Sequence, residues 1–408
     1  MDKKRLVLII IFLSVCLVLG TIMYIVFFKK GPVALKPSQG STTQKKPGDL
    51  PSAGDRKIAE AQKGANGLPT TSGQRAGAPQ KAVKQKIQVE QLVQNSVISP
   101  SVGADGSVKF YNKQDGHFYR LDKNGKMELM TDQVFFNVQN VTWSPKEEKS
   151  IIEYPDGSNI YYNFTDRKQV SLPKHWEEFS FQRDGASIAA KSDGLSPENK
   201  WLITSDPEGK NIKLIEPMGE NGNKVQVDWS PNQQVIATTR TGDPLGADRE
   251  EVLFVGLHDE NFKSMVVEGR GFESSWSPQG DKMLYSVYSA RSDFKPELWV
   301  VNAQPGTIGD ERKLLNVNTW PQKCAYSDDR YLYCGVPQNL PKGAGIAPAV
   351  AEDNIDDFYK IDTQTGMKTQ LAVENNGQIV DKMFLGDDGK TMYFTDKRKP
   401  GIFKISTQ

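Results

Sequence analysis

Histidine and cysteine are almost missing: this chain of 408 residues holds 3 of each. The histidines are His117, His175 and His258, and none has a second histidine at metal-ligand spacing. No Cys-x-x-Cys pair, no G-x-S-x-G elbow and no phosphate-cradling glycine loop between a strand and a helix occurs. These absences leave no catalytic, metal or cofactor residue to name. His258-Asp259-Glu260 follows a strand-like run and reads as a solvated turn. The Asp-Gly pairs at 105, 115, 156, 184, 193 and 388 fall where turns are expected anyway. Long amphipathic helices are missing too, beyond the N-terminus.

One long apolar run is present. Residues 6–28 carry no charge and are long enough to span a bilayer. Lys3, Lys4 and Arg5 flank it on one side, Lys29 and Lys30 on the other. Val15 fits poorly before Cys16 in a lipoprotein processing site, and the apolar run continues past both. The expectation is an uncleaved transmembrane helix preceded by a short cytoplasmic tail at 1–5.

Residues 29–86 are rich in Gly, Pro, Ser, Thr, Gln, Ala and Lys and poor in large apolar side chains. Such a segment buries too little surface to offset its ordering entropy, so it reads as a disordered tether. It holds 12 Lys/Arg against 3 Asp/Glu, and the chain total is +1, which leaves residues 87–408 at −10. An acidic head excludes a nucleic-acid partner.

The rest of the chain repeats itself. Val141-Thr142-Trp143-Ser144-Pro145, Val227-Asp228-Trp229-Ser230-Pro231 and Ser274-Ser275-Trp276-Ser277-Pro278-Gln279-Gly280 are the clearest copies. With weaker ones, the aligned positions are 102, 143, 181, 229, 276, 326 and 385. Each copy opens a pattern of four short strands, and repeats near this length signal a propeller. The expected fold is all-β, a seven-bladed β-propeller over 87–408, with six or eight blades as alternatives. In blade four the expected second, third and fourth strands are 235–239, 251–257 and 264–269. The last repeat lacks a fourth strand, and residues 87–93 resemble one, so they are expected to close the ring.

Cys324 and Cys334 sit on consecutive strands of the sixth repeat, either side of a tight turn. A disulfide there leaves no free thiol in the folded part and suits an oxidising compartment. Hence the expected topology is single-pass in the cell membrane, N-terminus in, propeller extracytoplasmic.

Four loops between second and third strands are long: 192–199, 240–250, 289–296 and 337–356. They belong to four consecutive blades and should gather on one side of one face. Binding residues favour loops held by a rigid scaffold. The candidates for partner contact are Asp243, Asp248, Arg249, Arg291, Asp293 and Lys295.

At Trp143-Ser144-Pro145, Trp229-Ser230-Pro231 and Trp276 to Gly280 the chain resembles the TolB-like propellers, a branch of WD-like repeats. The resemblance covers about residues 87–408 and implies an extracytoplasmic binding scaffold. TolB carries an α/β domain ahead of its propeller, where this chain has a tether. Related propellers gate serine peptidases, but this chain has no room for a hydrolase domain. The expectation is a non-enzymatic scaffold whose partner is a protein, a peptide or a cell-envelope polymer. The alternative is a propeller hydrolase or lyase with carboxylates around the central channel. The sequence leaves oligomeric state open.

Overall fold

A computed structural model describes residues 87–374, 377–386 and 388–406. The expected tail, membrane helix and tether lie outside the described residues. Among the described residues no helix is long and apolar enough to cross a membrane.

The described chain forms seven four-stranded antiparallel sheets, the blades of a β-propeller. Their first, innermost strands are Val97–Val102, Asn140–Trp143, Trp176–Phe181, Val225–Val227, Arg270–Trp276, Cys324–Tyr326 and Val380–Leu385. Six blades run first strand to fourth in chain order. Blade seven takes its first three strands, Val380–Leu385, Thr391–Asp396 and Ile402–Ser406, from the end of the chain and its fourth, Val89–Val93, from the beginning. Val89 lies opposite Ile405 and Val93 opposite Ile402, so the closing strand is antiparallel.

Third strands are apolar because both of their faces pack against neighbouring blades. In blade five, Leu298, Trp299, Val300 and Val301 are all buried. The Trp and Ser of the Trp-Ser-Pro block each make a specific contact in two of its three copies. Trp143 Nε1 donates to the Ser99 carbonyl of the preceding blade at 2.8 Å, and Trp276 Nε1 donates to the Asp228 carbonyl at 3.1 Å. The buried Ser230 and Ser277 hydroxyls accept backbone N–H groups of Val235 and Lys282, both at 3.0 Å, and so close the following turn. Gly280 has φ 74°, and a Cβ there would stand 2.6 Å from the Asn232 nitrogen of the preceding blade. Asn232 Nδ2 uses this close approach to donate to the Gly280 carbonyl at 2.7 Å.

Cys324 and Cys334 lie directly opposite each other in the blade-six ladder, Cα atoms 4.1 Å apart, and form a disulfide. A crosslink spanning 10 residues contributes about 3 kcal/mol in the chain-entropy account.

Some strand limits differ from expectation, and blade four differs most. Its third strand is Glu250–Val255, and its fourth is only Met265–Val267.

Candidate functional site

Each first strand begins on the face that carries the long loops and ends at the Trp-Ser-Pro turn on the other. Three residues before the seven aligned repeat positions stand Ser99, Asn140, Glu178, Gln226, Glu273, Lys323 and Lys382. All seven are polar, in a level otherwise rich in apolar side chains. Register breaks fall near this level in blades one, three, five and seven. A bulge re-aims side chains, and bulges concentrate beside functional sites. Ser99 (φ 46°) and Glu178 (φ 52°) hold positive φ without being glycine, which is uncommon.

Around the mouth of the channel these residues form connected groups. Ser99 Oγ donates to Asn140 Oδ1 at 2.7 Å, and Asn140 Nδ2 donates to Glu153 Oε2 at 2.5 Å. Burial raises the Glu153 carboxyl above its ordinary pKa; Asn140 opposes the shift, and Glu177 and Glu178 add to it. On blade five, burial raises Glu273, opposed by Gln322 and Arg240. Deeper in the channel, burial pushes Asp228 up to about 7, with the Lys382 ammonium as the opposing charge. Burial lowers Lys382 in turn, against the pull of Asp228 and Asp381. Asp228 is nonetheless partly open to solvent and Lys382 exposed.

The mouth has polarity. Glu153, Glu177 and Glu178 make an acidic arc on blades two and three. Lys382, Lys397, Arg398 and Lys399 on blade seven, interspersed with Asp381 and Asp396, line a cavity of about 550 Å³ beside Ser99 and Asn140, and Lys397 and Arg398 pair with Glu352 and Asp353 at 3.8 Å. Among the described residues no group of three or more His, Cys, Asp or Glu could hold a metal.

The raised Asp228 has a consequence for stability. The native state holds this proton up to about pH 7, whereas an unfolded Asp releases it near pH 4. Between those values the native state binds more protons, so stability falls as pH rises. Asp228→Asn is expected to match the wild-type ring near pH 4 and to exceed its stability at pH 8 by on the order of 2 kcal/mol. Urea unfolding of residues 87–408 at pH 4, 6 and 8 reads this; parallel pH profiles for the two proteins contradict it.

The long loops do come together. Asp248 Oδ1 accepts from the Ala290 N–H at 3.4 Å, joining the loops of blades four and five. Asp293 pairs with Lys342 at 3.5 Å, and Gly343 and Gly345 donate to the carbonyls of Asp293 and Phe294 at 2.9 and 2.7 Å, joining blades five and six. Arg291 pairs with Glu297 at 2.6 Å and lies 5.4 Å from the Trp299 ring. The Asp243 N–H donates to Glu251 at 2.7 Å, and the Lys295 carbonyl accepts from Ser292 Oγ at 2.7 Å. Arg249 is exposed. The blade-three loop packs instead on the short turn at Gly219–Lys224. The blade-six loop has its own small core of Leu340, Ala344 and Ala351 against Trp320. Its tip exposes Ile346 and Val350, 59% and 51% accessible. Of the six candidates, Asp248 and Asp293 fasten loop to loop, Arg291, Asp243 and Lys295 bond within their own blade, and Arg249 takes neither role among the described residues. The apolar tips and the channel ring escaped the sequence reading, although the polar column three residues before each aligned position was there to be seen.

No protein-family model matches this chain, and no curated protein matches it. Solved structures do. An oligogalacturonate lyase in complex with manganese aligns at TM-score 0.54 and 13% identity over 78% of this chain and 93% of that one. The β-propeller domain of Cps50 (Swd1) from Myceliophteria thermophila aligns at 0.50 and 11% over 78% and 99%. TolB from Acinetobacter baumannii aligns at 0.44 and 11% over 66% and 64%. Likeness at these identities is likeness of fold: the protein is an all-β, seven-bladed propeller.

Proposed function

We propose that this chain is a membrane-anchored, extracytoplasmic binding scaffold that holds a protein, a peptide or an envelope polymer on its long-loop face. The observation that carries this reading is the fastening of three long loops, from blades four to six, into one surface beside a channel mouth that carries both signs of charge. Rigid loops lose little entropy on binding, which favours affinity. The uncharged run at 6–28 supports the anchor, and the Cys324–Cys334 bond supports an oxidising compartment.

The test is capture from solubilised envelope by immobilised residues 87–408, compared with an Ile346→Asp/Val350→Asp variant. Both side chains are exposed, so melting is expected to stay within a few degrees while the captured species drop about tenfold. Equal capture by both proteins refutes the face. Protease digestion of intact cells checks the topology: the ring is expected to be cleaved from outside.

A second reading, a hydrolase or lyase, is favoured by the raised carboxyls Glu153, Asp228 and Glu273 around one channel. Incubation with oligogalacturonate and manganese separates the two, since one solved relative of the fold is named for that substrate. The scaffold reading expects no unsaturated product.

A further inference from the structure

Five blades seal the outer side of their third strand with the fourth strand and the turn before it, and blade seven with the strand from the start of the chain. Blade four does not. Its third strand is Glu250–Val255, but the fourth pairs only with Glu250, Glu251 and Val252. Leu253, Phe254 and Val255 are paired on the inner side alone, to Thr239, Thr238 and Ala237. Among the described residues, no backbone–backbone hydrogen bond involves residues 256–264, the connection that follows. Blade two shows the ordinary arrangement: Asn159–Asn163 is matched residue for residue by Lys168–Leu172.

The open half-strand forms one wall of a cleft of about 370 Å³ between blades three and four. Leu202, Ile215 and Met218 face it from blade three, and Phe262 from the connection, which side chains hold instead: the His258 N–H donates to Glu260 and Lys263 pairs with Asp310, both at 2.8 Å. Its rim carries the carboxylates Glu216, Asp259 and Glu260, and no Lys or Arg lines it. The cleft therefore joins three things in one place: unused strand backbone, an apolar floor and uncompensated negative charge.

We propose that this cleft takes an extended peptide segment of a partner protein as an added strand, with apolar residues at alternate positions and Lys or Arg flanking them. Strand addition supplies backbone hydrogen bonds for affinity, and side-chain pockets select the sequence. Alternate residues of an extended chain point the same way, so every second side chain enters the floor while its neighbours face the rim. The acidic rim selects a cationic segment and rejects an acidic one. Thr241 of the blade-four loop lines one end of the cleft, but the proposal does not depend on the partner reading of the long-loop face.

The experiment uses residues 87–408 and a fluorescein-labelled Lys-Val-Thr-Val-Lys-Val-Arg peptide, read by polarisation and by amide exchange. Saturable binding is expected, with slowed exchange confined to Phe254, whose backbone faces the open edge, and the connection after it. N-methylation of alternate peptide nitrogens is expected to abolish binding in one register and spare it in the other, because one edge of the added strand bonds to blade four. Glu216→Lys/Asp259→Lys, both exposed positions, is expected to weaken binding about tenfold with unchanged melting. Saturable binding that protects other amides overturns the proposal, as does equal affinity for both N-methylated registers or no binding up to millimolar peptide. Sedimentation of the ring alone covers the remaining occupant: a dimer that protects the same amides assigns the edge to a second copy of this chain and overturns the proposal.

Discussion

A chain that begins at Gln94 is expected to accumulate in aggregates, while one that begins at Lys86 melts cooperatively as a soluble ring. The difference is one strand. Val93 is buried in a cluster with Val108, Phe110, Leu121, Tyr393 and Ile402, which ties blade seven to blade one. Ile87 and Val89 pack against the cluster that contains Phe358, Phe403 and Ile405. The Ile87 N–H donates to the Ala372 carbonyl at 2.8 Å, and the Ile87 carbonyl accepts from Glu374 at 2.7 Å, so the same segment also clasps blade six. Gln91 Nε2 reaches the Pro400 carbonyl at 2.9 Å. Burying Val93 fully at about 1.5–3 kcal/mol and Ile87 and Val89 by about half of that each, with several net hydrogen bonds at about 1 kcal/mol each, amounts to about 6–10 kcal/mol. That equals the whole net stability of an ordinary domain. Deletion also bares the edge of Ile402–Ser406, a template for pairing with other chains. Soluble yield and a thermal melt decide it; a cooperative melt within a few degrees for the shorter protein shows that the ring is not closed by this strand.

The second large effect belongs to Lys323→Ala, which is expected to cost about 3–5 kcal/mol. Lys323 and Asp356 are almost wholly buried, 4% and 0% accessible, and the ammonium lies 2.9 and 2.8 Å from the two carboxylate oxygens. The Val380 N–H donates to the same carboxylate at 2.6 Å. The pair therefore joins the entrance of blade six's first strand, the start of its third, and the first strand of blade seven. Without Lys323 the carboxylate keeps one donor and no counter-charge. The variant is expected to recover stability as pH falls, because protonation discharges the stranded Asp356, whose pKa burial already raises. Lys323→Met with Asp356→Asn is expected to recover most of the loss, since removing both charges removes the desolvation penalty. Urea unfolding measures all three proteins. A single-variant loss below about 1 kcal/mol, or a double variant no better than the single, refutes the account.

Much of this architecture was legible in the sequence because several copies of the repeat carry the same chemistry. The indole of Trp143 or Trp276 reaches the previous blade, and the serine after it closes a turn. Such roles recur, so the residues recur. Residues 87–93 could be recognised as the missing strand because the last repeat visibly lacked one. The channel ring was harder to read. Its members differ from blade to blade, and bulges at Ser99 and Glu178 displace them from a simple alternation. The contacts that fasten the loops were invisible for another reason: most of them use a backbone group, such as the Ala290 N–H or the Asp293 carbonyl, which any sequence supplies. Blade four misled for a third reason. Residues 251–257 and 264–269 are both apolar enough to pair along their full length, and only the wide course of the connection between them prevents it.

The strand that seals the ring is also the one through which the preceding chain enters. A pull transmitted from upstream falls first on the two Ile87 hydrogen bonds to blade six and then, because Val89 meets Ile405 before Val93 meets Ile402, on one pair at a time, as in a zipper, rather than on all of them together. Mechanical load on the N-terminal side thus bears on the junction of the first and last blades, and that seam, more than any loop, sets how much tension the disc withstands before it springs open.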